Sequence, residues 1–225
     1  MGTEYTDQKK KASRKRILKA ATELFGRKGY HGTTVDDITQ SANLSRGALY
    51  WHFKGKSHLL EAVFQRIETE YLDRFIRETT TAGLSPMEKL WYIFKFNSRF
   101  AVEHANLIHC LRTLSLELTP SDDDHAQILH HILNKQHAFI ADIIRQGQES
   151  DFLRKDFSAD IMTAIILAVH DGIVLQLSVF KHFLDARDAT WAFKQITLAG
   201  MSADAKIIQV HQSALGNGEG NEKGK

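Results

Sequence analysis

The 225-residue chain is 43% apolar and 25% charged, ordinary globular proportions with enough material for a core in one large domain or two small ones. Its single cysteine, Cys110, excludes an internal disulfide framework; the polar, basic N-terminus and the lack of any uninterrupted apolar run near 18 residues argue against a secretory signal or membrane span, so the cytoplasm is the expected compartment. Net charge is only +2, yet residues 1–56 hold twelve Lys/Arg against five Asp/Glu, and the remainder seventeen against twenty-two. A basic head on an acidic body points the head at a polyanion, although a solvated lysine-rich tail (Lys9, Lys10, Lys11, Arg14, Lys15, Arg16) would give half of the same charge.

Helical periodicity dominates, and an all-α fold is expected. From Ser13 to Lys28, Ile17, Ala20, Ala21, Leu24 and Phe25 form an i, i+3, i+4, i+7, i+8 stripe, and Gly29 stands where a left-handed cap would end that helix. Thr34-Val-Asp-Asp37 reads as a capping-box start for a short second helix with Val35, Ile38 and Ala42 on its apolar face. Asn43, tolerant of positive φ, and Ser45, a good N-cap, then lead into a third helix that turns Leu49 and Phe53 inward. Gly55 breaks it, and a longer amphipathic helix with Leu59, Leu60, Val63, Phe64 and Ile67 begins at Lys56. Two short helices braced by a longer one are the layout of a helix-turn-helix DNA reader.

The outward face of the third helix is unusual for a solvated surface. Arg46, Gly47, Ala48, Tyr50, Trp51 and His52 combine a guanidinium, an imidazole, two aromatics and two very small residues. In a major groove Gly47 and Ala48 admit close approach, Arg46 can fork onto guanine O6/N7, and the aromatics meet thymine methyls. His52, Lys56 and Thr34 are expected at phosphates, and Thr33 is either a loop residue or a second phosphate contact. The segments Arg16–Phe25, Gly29-Tyr30, Thr33-Thr34-Val35, Ile38, Ser45–Phe53 and Lys56 resemble the head of the tetracycline-repressor (TetR) family over about 45 residues. Asn43 in place of a frequent glycine and Ser57-His58 in place of a usual acidic residue depart from that pattern. The resemblance implies an N-terminal three-helix head, a divergent helical effector-binding body and a homodimer. It also implies DNA contact at Thr34, at Ser45 to His52, and at Lys56.

The body reads as further long helices. Their stripes are Met87, Leu90, Trp91, Phe94, Ser98, Ala101 and Val102; Leu107, Cys110, Leu111 and Leu114; and Ile128, Leu129, Ile132, Leu133, Phe139, Ile140, Ile143 and Ile144. Ser158 to about Phe183 is apolar nearly all round and is expected to be buried on several sides, and Ala189–Met201 forms the last helix, with Trp191, Phe193, Ile196 and Leu198. The organisation expected is a basic disordered arm at 1–12, a helix-turn-helix domain at 13–56, a helical ligand-binding and dimerisation domain at 57–215 and a disordered tail at 216–225.

Residues 159–201 are the candidate homodimer interface, their small residues Ala164, Ala168 and Gly172 permitting close helix approach, with two heads reading half-sites ~34–36 Å or a multiple apart. An apolar or amphipathic effector pocket is expected from Trp91, Phe94, Phe100, Leu111 and Phe139, with Asn97, His104, Arg112, His137, Asp171 or Gln176 supplying polarity; the same aromatics would equally serve as core. Effector binding would tilt the fourth helix, about Lys56 to Thr79, and change the separation of the heads. The chain is expected to be a repressor that needs no cofactor or metal and is not an enzyme, since no His-Glu-x-x-His, Cys-x-x-Cys or phosphate-binding glycine loop occurs. Two other readings stay open, an activator and an architectural DNA binder without an effector. Cys110, in an apolar stripe, is expected to be an inert core thiol.

Overall fold

The computed structural model describes residues 2–80, 83–118, 123–179 and 185–203, and within these the fold is all-α. The helices are α1 (Gly2–Lys28), α2 (Val35–Ala42), α3 (Arg46–His52), α4 (Lys56–Ile67), α5 (Asp73–Thr79), α6 (Pro86–Glu103), α7 (Ala105–Leu118), α8 (Asp124–Glu149), α9 (Ala159–Val179) and α10 (Ala186–Met201). A π-type turn, Glu68–Leu72, joins α4 to α5, so the helix expected from Lys56 to Thr79 runs its full length with one irregularity. Phe183 and the tail 216–225 lie outside the described residues.

The local signals in the head are each realised. Gly29 takes φ +75 after α1, and Asn43 takes the left-handed conformation (φ 49, ψ 55) after α2. Thr34 Oγ1 accepts the Asp37 N–H at 3.1 Å while Asp37 Oδ2 accepts the Thr34 N–H at 2.9 Å, a reciprocal capping box. Ser45 caps α3 by accepting the Ala48 N–H at 3.2 Å. Ile17, Ala21, Phe25, Ile38, Leu49 and Phe53 close the head's small core. Arg16 ties α1 to the end of α2 by donating to the Ala42 and Asn43 carbonyls at 2.5 and 3.1 Å.

Two expectations about domain layout differ. The stretch 2–12 is not a separate arm but the first three turns of α1. The chain also gathers into two compact units, residues 1–79 with 96–136 and residues 80–95 with 137–225, so the head shares its unit with α7 and with parts of α6 and α8. In that first unit Leu59, Leu60, Val63, Phe64, Ile67, Phe75, Phe96, Phe100, Cys110 and Leu114 are buried. The second unit closes over Leu90, Ile93, Phe94, Ile140, Ile144, Leu153, Met162, Ile166 and Phe193, with an antiparallel bridge, Leu153 to Ser202, pinning the end of α10.

α9 corrects a third expectation. It buries Ala159, Met162, Thr163 and Ile166 but leaves Ile161, Ile165, Val169, Leu175 and Val179 exposed. Its Ala159–Leu177 stretch is long and apolar enough to cross a membrane. On α10, Trp191 and Ile196 are likewise uncovered, as are Val102 on α6 and Ile128 on α8.

Candidate nucleic-acid interface

α3 is held by its inward side chains and presents the rest. Leu49 and Phe53 are 0% and 1% exposed, while Tyr50 and Trp51 are 55% and 60% exposed. Ser45, Arg46 and Gly47 share that outer surface, with Ala48 half-buried between them. Two large aromatics left more than half in water beside a glycine and an arginine mark the surface as one that awaits a partner.

Several cations stand around it. The N-terminal turns of α1 pass over α3: Lys10 Nζ lies 4.4 Å from the Trp51 ring centre, and the Arg14 guanidinium 5.2 Å from that of Phe53. Ser13 Oγ and His52 Nε2 share a hydrogen bond of 2.7 Å. Burial, then the charges of Arg14 and Lys10, hold the His52 imidazolium disfavoured, so its pKa lies below the ordinary value. Lys9, Lys10, Lys11 and Lys15 remain exposed. A composition reading assigns these lysines to a flexible arm; in the structure they ride on α1, where the register 10, 13, 14, 17, 20, 21 puts Lys10 on the face that meets the head and leaves Lys11 and Lys15 on the solvent side.

Arg46 grips Asp36 side-on, Nε to one carboxylate oxygen and Nη2 to the other. That pairing raises the Arg46 pKa and leaves the cation intact. Thr34 is exposed at the start of α2, and its partner Asp37 is held far below the usual carboxylate range by hydrogen bonds from Lys28, at 2.9 Å, and from Thr34.

The remaining candidates stand elsewhere. Thr33 is fully buried, its hydroxyl donating to the Gly29 carbonyl at 2.7 Å, so it is a structural clasp and not a phosphate contact. Lys56 is engaged inside the head: Nζ donates to the Tyr30 carbonyl at 2.9 Å and lies 4.3 Å from that ring's centre.

The residues expected to line an effector pocket divide between the two units. In the second unit Phe94 is buried against Phe193 (ring centres 4.7 Å apart) and Phe139 is half-buried, whereas Asp171 and Gln176 are exposed and Trp91 lies at the surface under Lys95 and Lys194. In the first unit Leu111 and Arg112 are half-buried, and Asn97 and Phe100 are buried, with His104 stacked on Phe100 at 4.3 Å. Two residues that periodicity missed join Asn97 there. The Tyr71 hydroxyl donates to Asn97 Oδ1 at 3.1 Å and accepts from Gln136 Nε2 at 2.6 Å, all three buried. The signal was the π-type turn that carries Tyr71, which no sequence period announces.

Three helices with a capped turn, an exposed aromatic and cationic recognition face and a basic surround define a helix-turn-helix DNA-binding transcriptional regulator. Comparison with known proteins agrees. Residues 17–63 match the family described as bacterial regulatory proteins, tetR family. The chain is similar to the HTH-type transcriptional repressor DhaR of Mycobacterium sp. (strain GP1), 27% identical over 171 residues that cover 75% of this chain and 84% of that protein. It is also similar to the HTH-type transcriptional regulator UidR of Escherichia coli (strain K12), 26% identical over 184 residues covering 80% and 87%. The crystal structure of the MbdR regulator from Azoarcus sp. CIB superposes with a TM-score of 0.75 at 26% identity, covering 84% of this chain and 98% of that one. Residues 17–63 therefore carry the DNA-binding head of the tetR family.

Proposed function

We propose that the protein is a homodimeric repressor of the cytoplasm that lays α3 in the major groove of operator DNA and is released by a small apolar or amphipathic effector. The observation that carries the reading is the outer face of α3, where Tyr50 and Trp51 stay more than half exposed beside Arg46 and Gly47. Arg46, gripped side-on by Asp36, keeps its outer edge for a guanine, while Thr34, Ser45 and His52 stand at the rim where phosphates run. The lysines on the first turns of α1 add salt-sensitive affinity.

The dimer reading is supported by the uncovered apolar faces of α9 and α10: Ile161, Ile165, Val169 and Leu175 with Trp191 and Ile196. A second copy covering them accounts for a helix that is apolar nearly all round yet half in water. The effector reading is supported by the Tyr71, Asn97 and Gln136 group, a set of buried hydrogen-bonding groups among Phe75, Phe96 and Phe100.

The test is selection of duplexes from a random library by the full chain, followed by mobility shift. Wild-type protein is expected to enrich a two-fold symmetric site, and a variant carrying both Arg46→Ala and Tyr50→Ala to lose it. Unchanged affinity and selectivity in that variant would refute the assignment.

A further inference from the structure

The structure binds the head to α7 at three levels. Gly26 lets the helices approach: a Cβ there would stand 3.2 Å from the Cys110 nitrogen and 3.3 Å from its Cα. Asn106 Nδ2 donates to Glu23 Oε1 at 3.0 Å, and Thr113 Oγ1 donates to the Gly26 carbonyl at 2.8 Å. These two bonds join helix to helix.

The third bond joins something else. Glu117, in the last turn of α7, takes the Tyr30 N–H on Oε2 at 2.6 Å and the His31 N–H on Oε1 at 2.8 Å. Those amides belong to the turn that carries the chain from α1 into α2. Gly29 makes room for the carboxylate, because a Cβ there would meet Glu117 Oε2 at 2.5 Å in a backbone already at φ +75. Two adjacent N–H groups on one carboxylate form a charge-assisted fork that fixes direction as well as distance. Its neighbours hold the same turn: Lys56 on the Tyr30 carbonyl, and the His125 ring 5.7 Å from that of Tyr30 with Nε2 sharing a 3.0 Å hydrogen bond with Ser57 Oγ. His31 is exposed and Tyr30 half-buried, so water replaces the carboxylate if it is lost. The fork therefore contributes orientation more than stability.

We infer that Glu117 is a positioning residue for DNA recognition: its carboxylate fixes the α1–α2 turn to α7, so that the placement of α7 sets the aim of α2 and α3. This rests on α3 being the DNA reader. Its consequence is specific to a two-headed protein. A loosened head still meets one half-site, but it no longer enforces the separation of two.

The experiment uses full-length protein and the duplex that wild type enriches from a random library, together with that duplex lengthened by one base pair between its half-sites. Glu117→Gln keeps the size and one acceptor but turns an amide N–H group toward the second backbone donor. It is expected to weaken operator binding by about 5- to 150-fold, the usual span of a coupling between linked sites, and to shrink the penalty for the added base pair. Hydrogen exchange at the Tyr30 and His31 amides is expected to quicken. Thr113→Val, which removes a bond between the same helices without touching the turn, should retain the wild-type spacing penalty. If Glu117→Gln binds with wild-type affinity and spacing penalty, the inference is overturned. It is equally overturned if Thr113→Val and Glu117→Gln lose affinity alike, in step with their melting temperatures. A wild-type chain that enriches no duplex refutes instead the reading of α3.

Discussion

Asp36→Ala sets two effects of opposite sign against each other on the reading surface. Arg46 uses Nε and Nη2 on Asp36, leaving the outer edge formed by Nη1 and Nη2 to face outward. That edge has the spacing to fork onto guanine O6 and N7, so the carboxylate aims the guanidinium while also placing a negative charge near phosphate. Removing Asp36 makes each head one charge more positive, and a dimer two. At about 0.9 per charge, the slope of log affinity against log salt steepens by up to ~1.8, so affinity for any duplex rises at low salt. Selectivity moves the other way. A well-aimed bidentate pair discriminates against a wrong base by about 5- to 150-fold, and a freed arginine forfeits part of that, so discrimination at the guanine should fall roughly ten-fold. Folding stability should barely change, because the two side chains are 65% and 58% exposed. Competition anisotropy across a salt series, with the enriched duplex, its guanine-substituted version and a random duplex, separates the terms. Equal tightening on all three duplexes would show that Asp36 only repels DNA and aims nothing.

Three other predictions follow from single groups. Tyr71→Phe removes the hydroxyl that pairs with the buried amides of Asn97 and Gln136, at a cost of about 1–3 kcal/mol for each amide, and should lower the denaturation midpoint without changing the m-value. Burial pushes the Cys110 thiol up to about 12, so a thiol reagent near pH 8 should leave the native protein unlabelled and react once the chain is denatured. The folded His52 pKa is lowered below its ordinary 6.5, so the head's stability from this group is present above about pH 6.5 and declines as pH falls toward the folded pKa. DNA should reverse that preference: a phosphate favours the imidazolium, binding takes up protons, and affinity should rise as pH falls from about 8 to about 5.5. His52→Gln should flatten that pH profile; an unaltered one would remove His52 from the phosphate contacts.

What could be read from the chain beforehand was whatever neighbours within a turn decide. Gly29, Thr34 with Asp37, Asn43 and Ser45 each satisfy orphan backbone groups or adopt φ values that few residues tolerate, so their roles are written locally. Thr33 and Thr34 show where that logic ends: identical and adjacent, one is buried on the Gly29 carbonyl and the other caps α2 in solvent. The partners of Arg46 and Lys56 depend on how helices meet, and no spacing announces them. The first turns of α1 have the composition of a solvated arm, and composition does not show that the helix continues through them. α9 poses a different problem. A sequence records that a face is apolar, not whether the covering surface lies in the same chain. The ten effector candidates divide between the two units for a related reason, since periodicity assigns residues to a face without saying whether that face meets a cavity.

The division of the chain into units changes what a signal has to cross. A boundary after Lys56 makes α4 the one link between body and head. In the structure Tyr71, Asn97 and Gln136 lie in the same compact unit as α1 to α4, and that unit also contains α7. The connections to the head therefore include, besides His125 of α8, α4, which leads from the π-type turn, and α7, which holds the α1–α2 turn through Glu117. Lys135 reinforces the α4 connection by bridging Glu68 at 3.1 Å, where the irregular turn begins, and Asp73 at 3.3 Å, where α5 follows it. A ligand acts only through what it prefers in one arrangement over another, so the two connections make different demands. If they carry one motion, the effects of Tyr71→Phe and Glu117→Gln on operator affinity will fall short of adding in a double-mutant cycle, because either change already releases the head. If the two effects add within about 0.5 kcal/mol, the two points hold the head independently, and an effector at Tyr71 would have to act without the Glu117 fork.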